Sequence, residues 1–357
     1  MNRDPVPPVS LKLGFAGCGE VAVEKHLPAL AEVRGIEVVA VADSNPARLR
    51  IVEKRFGIGH RYDTVDRLLA HPGLDAVALC LPPACQAAAA LAALDAGKHL
   101  WIDPPAALSL AEYDQLRERA SRSRQVVLMG FHMRWHRLVR QAREIVRSGR
   151  LGTIQTLRAV WNSPRNPRTE PEWRRRRALG GGALVEIAMD HFDLWRYLLD
   201  SEIGETFALH FDGQTEDEAA VVSGRMASGV LLSAVLSERT SHDLEIEIGG
   251  TAGRLRVACI RFEGLEFYPA STMPSALGAR VGRMAHFLRE LPRALPRMHR
   301  AGDYRASYEA EWSHFLDCIA GTATPASTLD DGRRAMAVVL ASFESTRTGR
   351  PAIPEPA

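Results

Sequence analysis

The stretch LKLGFAGCGEVAVEKHLPAL, Leu11–Leu30, decides how the chain is read. Leu11 to Ala16 is a short apolar run of the length of a buried strand, Gly17-Cys18-Gly19 is a tight turn, and Glu20 onward has helical spacing. Strand, glycine turn and helix in that order form the context a dinucleotide fingerprint requires. In Gly17-x-Gly19-x-x-Ala22 the first glycine permits the turn and the second lets backbone approach a pyrophosphate. The small third residue lets the helix pack on its strand. The phosphates then meet free N–H groups at a helix N-terminus, which places Gly17, Cys18, Gly19, Glu20 and Val21 beside the cofactor.

The next strand, GIEVVAVAD, ends in Asp43, 21 residues after Ala22 and close to the spacing of a carboxylate that accepts the adenosine ribose hydroxyls. A carboxylate there repels a 2′-phosphate, so NAD is expected ahead of NADP; Arg48 just downstream argues the other way. Asp43 also suits a cap for the helix beginning near Pro46, a role compatible with the first. LDAVALCLPP (Leu74–Pro83) reads as a buried strand ending at Leu81 and Pro82, ACQAAAALAALDAG as a helix stopped by Gly97, and KHLWID as another strand, ending at Asp103 and Pro104. This alternation predicts a doubly wound parallel sheet with ligands over the carboxyl ends of its strands.

Beyond Gln125 the pattern changes. VVLMGFHMRWH reads as a strand leading into the helix RLVRQAREIVRSG, closed by Gly149. From Thr206 the segments EAAVVSGRM, SGVLLSAVLSER, DLEIEIGG, GRLRVACIRF and GLEFYP alternate apolar and polar residues between Gly-bearing turns. That is an antiparallel sheet with one face open. The expected organisation is a leader (1–10), a Rossmann domain (11–128), and an α+β domain (129–325) carrying an Arg-rich insertion at about 276–305. A C-terminal helix and tail (326–357) is expected to pack back on the Rossmann domain.

Composition bounds the partners. The 357 residues carry 45 Lys+Arg against 43 Asp+Glu, a formal charge of +2 that gives no reason to expect nucleic acid. Five scattered cysteines without zinc-type spacing predict reduced thiols and no metal site, in a cytoplasmic protein. No apolar leader or spanning run is found.

The ordered series GFAGCGEVAVEKHLPAL, VADSNPARL, LPP, AGKHLWIDPP, GFHMRW, GRLGTI, GGGALVEIAMDHFDLWRYLL and DDGRRAMAVVLASFESTRTGR resembles the Gfo/Idh/MocA oxidoreductases, from about Leu11 to Pro351. The resemblance implies NAD(P)-dependent oxidation or reduction of a sugar, cyclitol or related polyol, and a homodimer or homotetramer built through the open sheet. It also exposes two departures. Where such enzymes usually have Glu-Lys-Pro this chain has Asp103-Pro104-Pro105, so the proton-relaying lysine is a proline. Where they usually have Asp-x-Gly-x-His-x-x-Asp it has Glu186, Ala188, Asp190 and Asp193, with His191 one step late.

Asp190 therefore stands at the usual base. On a continuous helix Glu186 and Asp190, at i and i+4, share a face that His191 does not, which puts Asp190 ahead of His191; a buried packing role remains open for His191. Two carboxylates on one face could share a proton, bind a basic substrate or hold a metal. Arg134 suits a substrate oxygen, a phosphate or a carboxylate, or else an ion pair. Trp173 and Arg174, the latter opening the run RRRR that leads to a flexible LGGG, match positions near the substrate mouth of such enzymes. His26 is read as structural. Two further functions stay open: an enzyme that uses NAD transiently for elimination or hydrolysis, and a nucleotide-binding subunit without turnover.

Overall fold

A computed structural model describes residues 10–166, 170–261, 263–271 and 302–356, together with positions 281, 284, 285, 288 and 292. Most of the Arg-rich insertion, and the leader apart from Ser10, lie outside the described residues. The chain divides into two compact units, 1–130 with 308–329, and 131–307 with 330–357.

The first unit is a six-stranded, wholly parallel sheet. Its strands are β1 (Leu11–Ala16), β2 (Ile36–Ala42), β3 (His60–Tyr62), β4 (Ala76–Leu79), β5 (His99–Ile102) and β6 (Val127–Met129), in the order β3-β2-β1-β4-β5-β6. This is the doubly wound arrangement expected from the alternation of apolar runs and helices. Its core is aliphatic and aromatic: Leu13, Phe15, Leu79, Leu100 and Trp101 are all fully buried. Helix α1 (Leu27–Leu30) is preceded by a π-helical turn over Ala22–His26, in which Leu27 N–H bonds Ala22 O. Pro28 has no N–H to donate to the preceding turn, and a local π register accommodates a broken ladder. Helices α2 (Pro46–Phe56), α3 (Val65–Leu69), α4 (Pro83–Asp95) and α5 (Leu110–Ser121) make the crossovers, the last opened by a capping box between Ser109 and Glu112.

The second unit opens with a 3₁₀ turn at His132–Trp135 and helix α6 (Arg137–Arg147). A seven-stranded sheet follows, built from β7 (Ile154–Asn162), β8 (Ile203–Phe211), β9 (Ala219–Met226), β10 (Leu231–Ser237), β11 (Asp243–Gly250), β12 (Gly253–Ala258) and β13 (Leu265–Pro269). Their order is β13-β12-β11-β7-β10-β9-β8, with β10 and β7 the one parallel pair. Between β7 and β8 lie α7 (Ala183–Glu186) and α8 (Ala188–Leu199), which are two helices and not one. Ile187, at φ −112° and ψ −50°, breaks the expected continuous helix. Two glycines of the tri-glycine run are closely packed: a Cβ on Gly181 would stand 2.2 Å from Arg174 O, and one on Gly182 2.6 Å from Asp217 Cβ.

Helix α9 (Gly302–Ile319) runs from the second unit into the first, and α10 (Leu329–Thr348) belongs to the second unit apart from its first residue. Within that unit the Ser342 hydroxyl lies 3.2 Å from that of Thr206, and Ser345 accepts a hydrogen bond from Ala208 N–H at 3.1 Å.

Candidate functional site: a glycine cradle and two buried ionic clusters

In the first unit, Gly17, Asp43, Cys80 and Asp103 are each the first residue beyond a strand, β1, β2, β4 and β5 respectively, along one edge of the sheet. Gly17 has φ +92°, and a Cβ there would stand 2.1 Å from Cys80 O. No other residue type fits. Gly19 is the reverse case, since no described atom lies within 4 Å of where its Cβ would be. The turn is pressed against the neighbouring strand on one side and open on the other, as a backbone cradle for a pyrophosphate requires.

Asp43 is buried, and its carboxylate accepts Cys18 N–H at 2.8 Å and Asn45 N–H at 2.7 Å. Each oxygen keeps a further lone pair for a ribose hydroxyl. The helix-cap role goes to Asn45, which accepts Ala47 N–H. Arg48 lies 3.6 Å from Asp43 Oδ2 and is thereby paired with the carboxylate. Burial and the Asp43 charge push the Cys18 thiol up to about 12, so it stays protonated. Leu81 and Pro82 are half-buried at the end of β4. The residues present fit an NAD-type dinucleotide.

Around Pro104 the backbone is held by a residue to which no motif in the sequence points. Gln86, buried on α4, donates from Nε2 to the carbonyls of Asp103 and Pro105, and the Pro104–Pro105 bond is cis. Beside it the Cys80 thiol donates to Asp103 Oδ2 at 3.5 Å, and His26 Nε2 lies 3.7 Å from Asp103 Oδ1. His26 is wholly buried against Trp101, Tyr308 and Trp312.

In the second unit the expected catalytic residues have separate fates. Arg134 takes part in an ion-pair cluster, one of the roles the sequence leaves open to it. It is 8% exposed and makes a two-pronged pair with Asp193, with Asp331 3.0 Å away, while Arg196 adds contacts to both carboxylates. A guanidinium so committed is a structural ion pair, and a buried one. His191 has the features of the buried packing role left open for it: it is wholly buried, its ring meets Trp161 edge-on at 4.9 Å, and burial pushes its pKa down to about 3. It is a neutral core residue. Asp190, half-buried on α8, retains solvent access.

Glu186 is not paired with Asp190 among the contacts described. Its carboxylate takes Arg165 and, at 3.1 Å, Arg174 Nε, and Arg174 also stacks 5.0 Å over Trp173. Arg165 reaches a second carboxylate, Glu238, at 3.0 Å. Glu238 is 1% exposed, and burial with Glu186 nearby pushes its pKa well above the carboxylate range. Nothing in the sequence marks Glu238, because it closes an ordinary alternating strand. Folding therefore takes up a proton at Glu238, so stability falls as pH rises from the unfolded toward the folded pKa. Glu238→Gln is expected to flatten that fall, by up to about 1.4 kcal/mol for each pH unit between the two values, read by denaturant titration between about pH 5 and about pH 8.

Residues 11–131 match "Oxidoreductase family, NAD-binding Rossmann fold", and residues 139–256 match "GFO/IDH/MocA C-terminal domain". Myo-inositol 2-dehydrogenase of Thermotoga maritima is 25% identical over 95% of this chain and 97% of its own. The scyllo-inositol 2-dehydrogenase (NAD(+)) of Bacillus subtilis is 25% identical over 96% and 95%. In fold, the chain is similar to the WlbA dehydrogenase of Bordetella pertussis, solved with NADH and UDP-GlcNAcA, at a TM-score of 0.80, 20% identity, and 99% and 100% coverage.

Proposed function

The chain belongs to the GFO/IDH/MocA oxidoreductases, and from that premise we propose that it oxidises a hydroxyl of a sugar or cyclitol, or reduces the matching carbonyl, with NAD(H). The observation that carries the reading is the pair formed by the open Gly19 cradle and the buried Asp43 carboxylate. NAD, when bound, supplies the hydride chemistry. Backbone at Gly17–Val21 holds the pyrophosphate and Asp43 orders the ribose. Because Arg48 is already paired with Asp43, it does not neutralise a 2′-phosphate there, which supports NAD over NADP.

With Pro104 in place of lysine, Asp190 is the group we assign to proton transfer, and Trp173 with Arg174 to contact with the substrate ring. Fluorescence titration with NADH and NADPH, followed by a panel of keto-sugars and inosose-type cyclitols, tests this. NADH is expected to bind at least about tenfold tighter. Asp190→Asn is expected to lower kcat by about 10²–10⁴-fold with NADH affinity unchanged. Tight NADH binding with no oxidation by any substrate would overturn the enzymatic reading and favour a nucleotide-binding subunit, the one alternative that Pro104 supports.

We further propose that the open face of the second sheet joins copies of the chain into a dimer or tetramer. Leu209, Val221, Val235 and Val160 face one another in a row across β8, β9, β10 and β7, and the first three are about half exposed. Such a row supports self-association. Sedimentation of the intact chain is expected to give a multiple of 39.2 kDa, and a monomer would dispose of the idea. A cytoplasmic setting suits five cysteines that form no disulfide; among the described residues no helix is long and apolar enough to cross a membrane.

A further inference from the structure

His26 raises a question that the dinucleotide site does not answer. It is wholly buried, and among the described residues neither ring nitrogen has a hydrogen-bond partner. Buried polar atoms left this way need an explanation, an ion among them. Nε2 lies 3.7 Å from Asp103 Oδ1, and Asp103 Oδ2 lies 3.5 Å from Cys80 Sγ; one nitrogen, one sulfur and one carboxylate oxygen all fall within 4.8 Å of one another.

Zinc bonds of about 2.0–2.3 Å arranged tetrahedrally set ligand atoms about 3.3–3.6 Å apart. Each of the two close separations is of that size, but they reach opposite oxygens of Asp103; through one oxygen the three donors lie within 4.8 Å of one another, and a rotation of the Asp103 carboxylate with a small shift of the donors draws them onto a shared ion. The donor set is equally specific, since imidazole, thiolate and carboxylate together suit zinc-class ions and not magnesium or calcium.

We propose that His26, Cys80 and Asp103 bind a divalent cation of the zinc class through three protein ligands, leaving a fourth position for water or an oxygen ligand. Binding forms bonds to Nε2, Sγ and one carboxylate oxygen and breaks the Cys80 S–H bond, the proton passing to solvent; no electron is transferred. The site lies at the ends of β4 and β5, one residue before Pro104, where relatives are expected to carry a lysine cation. An ion here returns positive charge to a place from which the sequence has removed it.

The test uses the full chain, stripped of metal with a chelator and titrated with Co²⁺. A thiolate-to-cobalt absorption band in the near ultraviolet is expected to saturate at about one ion per chain, with release of about one proton, and to be displaced by Zn²⁺. Cys80→Ser should abolish the band, and Cys85→Ser, at an exposed thiol, should leave it intact. Asp103→Asn should weaken cobalt binding by at least about tenfold, the smallest loss that even a second-shell change produces. No band at saturating cobalt, or a band that survives Cys80→Ser, would overturn the site, whatever the result of the NADH titration.

Discussion

Gly17→Ala is expected to destabilise the Rossmann unit by several kcal/mol and to abolish measurable NADH binding. A left-handed φ of +92° costs an alanine about 1–2 kcal/mol. The added Cβ must also displace the Cys80 carbonyl, only 2.1 Å away, and overpacking of that kind costs about 1–3 kcal/mol more. Gly19→Ala separates folding from binding. Its Cβ meets no described atom, so thermal stability should match the parent while NADH affinity falls by at least about tenfold, the methyl standing where the pyrophosphate must approach. Melting curves and NADH titrations of the two variants read both effects. Equal NADH affinity in Gly19→Ala and parent would show that the cradle does not face the cofactor.

Arg134→Ala is expected to remove about 3–5 kcal/mol from the second unit, because breaking a buried pair strands the partner charge. Asp193 is 1% exposed, and without Arg134 the cation left beside it among the described residues is Arg196, at 3.7 Å. Burial already pushes Asp193 upward, and the variant extends that shift. A carboxyl raised in the folded state is penalised progressively as pH climbs above its unfolded value, so the deficit should narrow as pH is lowered. If Arg134 instead served the substrate, the variant would keep its melting temperature and show a raised KM. Denaturant curves at two pH values, beside the kinetics, decide between these.

The first unit was legible because its determinants are local. The glycine turn and Asp43 are set by neighbours in sequence, and parallel order follows from the alternation of strands with helices; the strands expected to run to Leu81 and Asp103 stop slightly earlier, at Leu79 and Ile102. The second unit was legible only as a class of sheet. Its ionic clusters join residues remote along the chain: Arg134 meets Asp331, and Arg165 meets Glu238, across separations at which spacing carries no signal. The face shared by Glu186 and Asp190 depended on an unbroken helix, and the break at Ile187 removed that premise. His191 misled for a related reason, since a histidine in a chemistry-bearing motif and a histidine sealed against tryptophan look alike in one dimension.

The division of the chain between units bears on how this protein could be recombined. The backbone leaves the Rossmann unit at Gly130, re-enters it for residues 308–329 and departs again, and Trp312, which that return contributes, stacks 4.7 Å from Trp101. A single crossover near Gly130 would therefore inherit a cofactor half stripped of part of its own interior. Exchange of the dinucleotide module with that of a relative needs two further junctions, one at each end of the returning segment 308–329.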